Sequence, residues 1–378
     1  MEPKIKTGLE VLVESELSII QNRKVGILAN HTAVDSQGRH IVQLLSESSI
    51  KISALFAPEH GFYGTKDELF GNYFDQKLRL PIFSLYGETK KPTKEMLKDI
   101  EVLLFDIQDV GARFYTYIWT MSYAQEASGE SGIQFIVLDR PNPINGLAVE
   151  GNLLEEKFSS FVGRFPIPIR HGLTVGELSL IFQGEFGIGK DVKVIKMKNW
   201  QRQMWHNDTG LPWIAPSPAM VSLDTATVYP GTCLFEGTNI SEGRGTDKPF
   251  ELIGAPWIDA HKFAPALNAK DLPGVNFEPT QFIPKCSKYA NETCCGVKIS
   301  VTNRNAFKPV ETSLYILEII HRLYPNQFQW RLPAFDLLMG TDKVRQKFSE
   351  GNSAEEIIGS WQEDLQKFRQ VQNKYLLY

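Results

Sequence analysis

The chain has 378 residues, with 40 Lys and Arg against 44 Asp and Glu, so its formal net charge is −4. Apolar residues make up 42% and aromatic residues 11%, which is globular composition and excludes a disordered chain. The absence of a basic excess argues against a nucleic-acid partner, and no apolar run approaches the roughly 18 residues of a membrane span. At about 100–200 residues per domain, this length predicts two domains.

The four cysteines and the N-terminal segment give weaker information. Cys286, Cys294 and Cys295 lack the paired spacing of a zinc site, and the favoured interpretation is small buried apolar side chains. The segment MEPKIKTGLEVLV lacks the basic region and the following apolar core that a signal peptide has. We therefore expect either a cytoplasmic protein or one whose signal peptide has been removed.

Strand-like and helix-like stretches alternate through the first half of the chain. Short apolar runs predict strands at 24–30, 51–58, 80–86, 100–107, 134–138 and 192–197. Helical spacing predicts helices at 36–46, 116–127 and 173–182, the last with Thr174 as its N-cap. Near-continuous apolar strands separated by helices are typical of a parallel sheet buried on both faces. The expected fold class is therefore α/β, with a doubly wound parallel sheet.

A second, smaller region follows this sheet. We place the boundary at 205/206, before the Gly/Pro/Trp-rich stretch 207–218, which gives domains at 1–205 and 206–378. The second region is rich in loops, with helices predicted at 311–323 and 353–371. We expect it to be a smaller α/β or α+β domain.

Polar side chains follow four of the predicted strands. In an open parallel sheet, ligands bind outside the carboxyl ends of the strands. Because these ends share one edge, we expect a polar pocket there, although Asp and Asn are also common turn residues. The candidates are Asn30 after the first strand, Glu59 and His60 after the second, Asp106, Asp109, Arg113, Tyr115 and Tyr117 after the fourth, and Asp139, Arg140 and Asn142 after the fifth.

Several familiar chemistries lack their motifs. The first strand leads into HTAVDSQG without the G-x-G-x-x-G of a dinucleotide site, and 184–191 matches G-x4-G-K but lacks the following Ser or Thr. Because that segment follows a predicted helix and precedes a strand, we interpret it as a turn. No H-E-x-x-H or G-x-S-x-G is present, so zinc hydrolysis and serine acyl transfer are disfavoured. We expect no metal and no cofactor.

The segment 236–246, EGTNISEGRGT, is the densest polar stretch of the second region. Its glycines would let the backbone approach a ligand, and Glu236, Asn239, Glu242 and Arg244 could face one; the alternative is a solvated loop. Trp205, Trp213 and Trp257 lie in nearby loops. Aromatic faces beside carboxylates and amides would suit a sugar, but packing between domains is the alternative for each tryptophan.

Seven motifs resemble those of the bacterial exo-β-N-acetylmuramidases, a glycoside hydrolase family of peptidoglycan recycling. The motifs are FAPEHGF (56–62), FDIQDVGARFYTY (105–117), VLDRPNP (137–143), VEG (149–151), RHGLTVGEL (170–178), PSP (216–218) and EGTNISEGRGT (236–246). The resemblance runs from about residue 7 to the C-terminus. It implies a Rossmann-like first domain, a smaller second domain, an active site between them, and release of N-acetylmuramic acid from the non-reducing end of wall fragments.

Catalytic roles follow from the resemblance together with the chemistry. Glycosidic cleavage needs an acid at the leaving oxygen and a second group at the anomeric carbon. We expect Glu59 of the PEHGF motif to be the acid, with a structural carboxylate as the alternative. Tyr115 resembles a family active-site tyrosine and could stabilise the oxocarbenium-like centre. The second group stays open between the substrate's own acetamido oxygen and a carboxylate, either Asp106, Asp109, Glu236 or Glu242.

The lactyl carboxylate of muramic acid suggests an arginine partner. Arg113, Arg140 and Arg244 are the candidates, because a guanidinium matches a carboxylate in bidentate geometry. We expect the remaining polar candidates, together with His171 of the RHGLTVGEL motif, to contact the saccharide. Since wall fragments arise outside the cytoplasmic membrane, a periplasmic location is favoured and a cytoplasmic one is the alternative. A monomer or homodimer is expected, without a membrane span. The competing functions are a non-catalytic binding protein for wall fragments and a hydrolase or transferase of phosphates or esters.

Overall fold

A computed structural model describes residues 4–64 and 71–378 of the chain. Its strands, in chain order, are β1 Val25–Ala29, β2 Ile52–Ala57, β3 Tyr73–Asp75, β4 Leu80–Ser84, β5 Val102–Asp106, β6 Gln134–Leu138, β7 Glu150–Leu153, β8 Pro168–Arg170, β9 Val192–Ile195, β10 Leu252–Ala255, β11 Val275–Phe282 and β12 Cys294–Val301. Its α-helices are α1 Gly8–Val11, α2 Ile41–Glu47, α3 Lys94–Leu97, α4 Tyr117–Ser131, α5 Val175–Phe186, α6 Leu223–Thr232, α7 Ala260–Asn268, α8 Pro309–Leu323, α9 Ala334–Met339, α10 Lys343–Ser349, α11 Ala354–Gly359 and α12 Gln362–Asn373.

The central sheet has seven strands in the order β3-β4-β2-β1-β5-β6-β9. Every neighbouring pair is parallel except β3 with β4 at one edge. The six parallel strands therefore run 3-2-1-4-5-6 in their own sequence order, which is the order of a doubly wound Rossmann-like sheet. All six predicted strands are confirmed, and the chain changes direction across the sheet between β1 and β5.

All three helices predicted in the first region are found, and one of them begins later than predicted. Thr174 caps α5 through a capping box with Glu177, and Gly187 ends that helix at φ 68°. The segment after α5 is a plain turn into β9, as predicted. The helix predicted at 36–46 begins only at Ile41, because Asp35 Oδ1 accepts hydrogen bonds from the backbone amides of residues 37 and 39 and holds a turn there.

The second region is an α+β unit. Its sheet has three antiparallel strands in the order β10-β12-β11, and α7 packs on β11. Helices α6 and α8 approach closely at Gly231, where a Cβ atom would lie 1.9 Å from the Pro309 carbonyl oxygen. The predicted helix at 311–323 is found as α8. The predicted helix at 353–371 is two helices, α11 and α12, separated at Ser360 and Trp361.

The last helix returns to the first region. Gln372 donates to the backbone carbonyl oxygens of His171 and Gly172, and the Tyr378 hydroxyl bonds to Asp139. The larger hydrophobic core is also continuous from the sheet into the second region, while a smaller core lies on the other face of the sheet. The 205/206 boundary stays a prediction, since β9 ends at Ile195 and α6 begins at Leu223. In the described ranges, no helix is long and apolar enough to cross a membrane.

Candidate active site

A pocket of about 490 Å³ lies between the central sheet and the second region, and we call it the interdomain pocket. Its described lining residues include one carboxylate, Glu59. A larger hollow of about 830 Å³ beside α2 has no carboxylate among its described lining residues. The interdomain pocket is lined by Glu59, His60, Phe114, Tyr115, Thr116, Ser217, Pro218, Ala219, Met220, Val221, Tyr229, Arg244, Gly245, Thr246, Pro249, Phe250 and Cys286.

Glu59 is placed by the sharp turn that follows β2. His60 and Gly61 both adopt left-handed backbone conformations, with φ of 68° and 78°. A left-handed non-glycine residue is uncommon, and such strain is concentrated at functional sites. Thr116 Oγ1 donates to Glu59 Oε2 at 2.5 Å. Tyr86 also hydrogen-bonds the Glu59 carboxylate, and this contact, after burial, raises the pKa of the tyrosine well above its usual range. Two hydroxyl donors thus hold the carboxylate at the pocket wall.

Tyr115 lies in the same wall. Its ring makes edge-to-face contacts with Tyr117 and Tyr229, at centroid distances of 4.9 and 5.8 Å. Burial raises the pKa of the Tyr115 phenol well above its usual value, so the hydroxyl stays protonated near neutral pH. It lies against the hydroxyls of Ser217 and Tyr117. Tyr117 is absent from the described lining, and its hydroxyl donates to the Pro216 carbonyl oxygen at 2.6 Å. Glu59 and Tyr115, the two predicted catalytic residues, therefore line one pocket.

Arg244 brings a cation to the pocket from the second region. Its Nε and Nη2 donate to Glu236 Oε1 at 2.9 and 2.7 Å, which fixes the guanidinium plane. Glu242 lies 3.7 Å from Arg244 Nε and pairs with Lys288 Nζ at 2.7 Å. Burial raises the pKa of Glu236 and lowers that of Lys288. Neither glutamate is in the described pocket lining, and both lie beside Arg244 and orient its guanidinium. Their contact with substrate stays a prediction.

Asn239 is the remaining predicted residue of this loop, and it also lies outside the pocket lining. Its Nδ2 donates to the Gln327 carbonyl oxygen, and its Oδ1 accepts from the Gln329 amide. The side chain therefore fastens the loop to the segment after α8. This corrects the expectation that Asn239 contacts the saccharide, since both ends of its amide are already bonded.

The polar residues at the middle of the sheet are used internally. Asp106 accepts from Arg140 Nε at 2.5 Å and Nη2 at 3.1 Å, and both side chains are almost fully buried. A third bond joins Arg140 to the Val34 carbonyl oxygen. The cavity beside them holds only about 20 Å³, less than a sugar needs. The crevice between β1 and β5 is thus filled by protein, and the arrangement does not support the predicted substrate contact of Asp106 and Arg140.

The carboxyl end of β6 is equally occupied. Asp139 accepts from the Thr174 hydroxyl, the Gly176 amide and the Tyr378 hydroxyl, at 2.7 to 2.8 Å. Asn142 donates to the Leu173 carbonyl oxygen at 2.9 Å. Both side chains are buried and tie β6 to the start of α5. The arrangement does not support their predicted contact with substrate, for the same reason.

Asn30, Asp109 and His171 are buried beneath the pocket rather than in its lining. Asn30 Oδ1 accepts from the amide and hydroxyl of Thr32. His171 Nδ1 accepts from the Leu173 amide, and its Nε2 lies 3.5 Å from Asp109 Oδ2. Asn30, His171 and the alternative carboxylate Asp109 are thus absent from the described pocket lining, and their contact with the saccharide stays a prediction.

Arg113 is a structural cation. Its side chain is fully buried, and it donates to the backbone carbonyl oxygens of Asn152, Ile167, Leu338 and Met339 at 2.7 to 3.1 Å. These acceptors belong to both regions, so one guanidinium joins them. Four carbonyl dipoles away from the pocket compensate its charge, so the arrangement does not support the predicted pairing of Arg113 with a substrate carboxylate.

The three tryptophans also serve packing. Trp205 is buried and donates to Asn305, Trp213 packs edge-to-face with His206, and Trp257 contacts Tyr324. None of them lines the interdomain pocket.

Sequence reasoning missed several residues in the pocket lining and one, Tyr86, that bonds Glu59 from outside it. Thr116 was expected only as part of a helix, and Tyr86 as part of a strand. Tyr229 and Phe250 pack against each other at 4.8 Å in the wall supplied by the second region. The PSP motif was a usable signal, because Ser217 lies beside Tyr115 and the segment follows directly. Isolated aromatic residues such as Tyr229 carry no such signal.

The arrangement suits acid-assisted hydrolysis. A carboxylate and a protonated phenol line one pocket, and Arg244 lines it from the second region. Within 4–64 and 71–378, no group of three or more His, Cys, Asp or Glu side chains could hold a metal ion. An acid at the wall of a sugar-sized pocket suits glycosidic cleavage, and similarity to known glycosidases over the whole chain shows that the protein is a glycosidase.

Comparison with known proteins gives the family. Two family models, described as the N-terminal and C-terminal parts of exo-β-N-acetylmuramidase NamZ, match residues 25–224 and 227–378. The chain belongs to this family. It is 48% identical to the peptidoglycan β-N-acetylmuramidase NamZ of Bacillus subtilis strain 168, over 100% of this chain and 92% of that protein.

Two crystal structures confirm the fold. Both are of proteins from Bacteroides fragilis described as DUF1343 family members. One has a TM-score of 0.94 at 39% identity and covers 99% of each chain. The other has a TM-score of 0.80 at 34% identity and covers 100% of this chain and 99% of its own.

Proposed function

We propose that the protein hydrolyses the β-glycosidic bond of a terminal N-acetylmuramic acid and releases this sugar from the non-reducing end of peptidoglycan fragments. In this reaction Glu59 donates the proton to the leaving oxygen. The observation that carries the proposal is the placement of Glu59. It is the one carboxylate in the described lining of the interdomain pocket, and it stands on a strained turn between two hydroxyl donors.

The pocket supports a terminal sugar better than an internal one. Residues of the second region, Tyr229, Arg244 and Phe250, face Glu59 and Tyr115 across it. A cavity of about 490 Å³ is in the range of small-molecule sites, and it accommodates one sugar ring. An enzyme that removes one terminal unit needs such a pocket rather than an open groove.

Tyr115 is our candidate for the group at the anomeric carbon. Its neutral phenol can donate a hydrogen bond or stabilise the developing oxocarbenium charge. Since Asp106, Asp109, Glu236 and Glu242 do not line the pocket, a second carboxylate is disfavoured. The acetamido oxygen of the substrate is the other candidate for attack, as in substrate-assisted glycosidases. In either case Glu59 supplies the proton and then activates the water.

Arg244 is the candidate for recognising the lactyl carboxylate. Of the three arginines considered, it alone lines the described pocket. Two of its nitrogen atoms are bonded to Glu236, so the plane of the guanidinium is fixed before substrate arrives. A preoriented guanidinium can donate hydrogen bonds to a carboxylate from its remaining edge. This distinguishes a muramyl sugar from a glucosaminyl sugar, which lacks the lactyl group.

Glu59→Gln tests the proposal with two substrates. On a disaccharide of N-acetylmuramic acid β-linked to N-acetylglucosamine, kcat/KM should fall by about 10²–10⁴-fold, because a sugar hydroxyl needs the proton. On nitrophenyl β-N-acetylmuramide the loss should be much smaller, because nitrophenolate leaves without one.

The control is Glu95→Gln, on an exposed carboxylate that pairs with Lys98, and it should leave both rates unchanged. Equal losses on the two substrates would exclude Glu59 as the acid. Normal turnover of the disaccharide would remove the assignment altogether.

We further propose that the enzyme meets these fragments outside the cytoplasmic membrane, in peptidoglycan recycling, as a monomer or homodimer. The support is the origin of the substrate, since wall turnover releases fragments there. Cell fractionation with activity measured on intact cells and on lysates tests the location, and sedimentation tests the assembly.

A further inference from the structure

Three half-buried aromatic side chains outside the lining of the interdomain pocket form a row of ring contacts that leads away from Glu59. We call Tyr86, Tyr123 and Phe161 the aromatic strip. Tyr86 follows β4 and hydrogen-bonds Glu59; its ring centroid is 6.0 Å from that of Phe161. Phe161 in turn stacks with Tyr123 of α4, at 6.4 Å and 23° between planes. Three separate segments thus form one apolar surface that begins at the catalytic carboxylate.

The outer face of this strip is reached from solvent. Lys90 Nζ lies 4.1 Å from the centroid of Phe161, and Lys90 is exposed. Among the described residues, no carboxylate forms an ion pair with Lys90. A ring face that attracts an ammonium group is electron-rich, and it also attracts the polarised C–H groups of a sugar ring. Arg164 covers Tyr123 in the same way, with its guanidinium carbon 4.2 Å from the ring centroid. A saccharide that stacks on Phe161 would therefore take the place of the exposed Lys90 ammonium group.

The position relative to Glu59 determines which sugar this would be. A general acid protonates the oxygen that joins the terminal sugar to the leaving group, so it stands between the two. Thr116 bonds Glu59 and lines the interdomain pocket, whereas Tyr86 bonds Glu59 and lies outside the pocket lining. The terminal sugar occupies the pocket side. The leaving group then lies on the side of Tyr86.

We propose that the aromatic strip is the leaving-group subsite and binds the amino sugar that follows the terminal muramyl unit. This rests on the proposed function, because it takes Glu59 as the acid. Phe161 supplies the main contact area, and Tyr86 both touches the leaving sugar and holds Glu59. The strip then favours saccharide leaving groups over small alcohols.

Phe161→Ala separates this role from the chemistry. We compare kcat/KM on the muramyl-glucosamine disaccharide with kcat/KM on methyl β-N-acetylmuramide, whose leaving group is too small to reach the strip. The disaccharide value should fall about 5- to 15-fold, and the methyl glycoside value should stay within about twofold.

The matched control is Tyr315→Ala on α8. Tyr315 is also a half-buried ring under a lysine, with Lys270 Nζ 5.3 Å from its centroid, but it lies in the second region. It should change neither value. Phe161→Leu, which keeps apolar volume and removes the ring, serves as a second variant with the same expected split if the alanine variant unfolds.

Equal losses on both substrates, or no loss on either, would overturn the subsite. Failure of the proposed function is seen separately, in the Glu59→Gln variant. If Glu59→Gln stays active, Glu59 is not the acid, whatever the result for Phe161→Ala. If Glu59→Gln is inactive and Phe161→Ala is unaffected, only the subsite proposal is wrong.

Discussion

Two parts of the same sheet edge differ in how their polar side chains are used. At the end of β2, Glu59 accepts from two hydroxyls and still faces a pocket. At the ends of β5 and β6, Asp106 and Asp139 are buried and bonded to neighbouring protein groups. Both parts obey the rule that polar residues gather at the carboxyl edge of a parallel sheet. Of these three carboxylates, Glu59 alone lines the interdomain pocket, so the comparison favours Glu59 over Asp106 and Asp139 as the catalytic candidate.

The largest expected effect is on stability, at the β5 end. Asp106→Asn removes the charge that compensates the buried Arg140, and breaking a buried ion pair costs about 3–5 kcal/mol. We expect the free energy of unfolding in urea to fall by that amount. The kcat of the folded fraction should stay near normal, because Asp106 does not line the pocket.

The control for this variant is Glu14→Gln, which breaks an ion pair of similar distance between exposed side chains of Lys6 and Glu14. An exposed pair contributes about 0–1 kcal/mol. If Asp106→Asn were stable and inactive, the division of the sheet edge into structural and catalytic parts would fail.

A smaller effect is expected at Arg244. Arg244→Ala should lower kcat/KM on muramyl substrates by about 10- to 100-fold, since hydrogen bonds to charged groups contribute about 1.5–3 kcal/mol. Glucosaminyl analogues, which lack the lactyl carboxylate, should lose much less. Arg345→Ala, which removes a paired arginine outside the pocket, is the control. Equal losses on both sugar types would contradict the role of Arg244.

The smallest expected effect is a change in pH dependence at the β6 end. Burial raises the pKa of Asp139 to about 7, so the folded protein keeps this proton at a pH where the unfolded chain has lost it. The contribution of Asp139 to the free energy of unfolding is therefore full below pH 4, falls between about pH 4 and 7, and is constant above.

Asp139→Asn cannot ionise, so its stability relative to the wild type should rise by about 1–2 kcal/mol between pH 6 and pH 8. Urea unfolding at the two pH values measures this difference. Asp99→Asn, on an exposed side chain, should show no such change. A constant difference between Asp139→Asn and the wild type would mean that Asp139 is ionised throughout this range.

Hydrophobic pattern predicted the fold well, because buried parallel strands are continuous apolar runs that need no tertiary information. The six strands and the cap at Thr174 were readable for this reason. Motifs singled out Glu59, Tyr115 and Arg244, and the structure places all three in the lining of one pocket. The bonding of Arg113 and Arg140 could not be predicted, because one sequence position looks the same whether its charge is compensated by distant carbonyls and carboxylates or left for a ligand. Their partners lie up to 226 residues away.

The bonds of Arg113 also set an order of events during synthesis. Leu338 and Met339 leave the ribosome 225 and 226 residues after Arg113. At a synthesis rate of about 5–20 residues per second, two of the four acceptors are made on the order of 10–45 s after Arg113. Until then, water must hydrate the part of the Arg113 guanidinium that these two carbonyl oxygens later bind. We therefore expect the first region to reach its native protection from proteases only after the segment around residue 339 has been made.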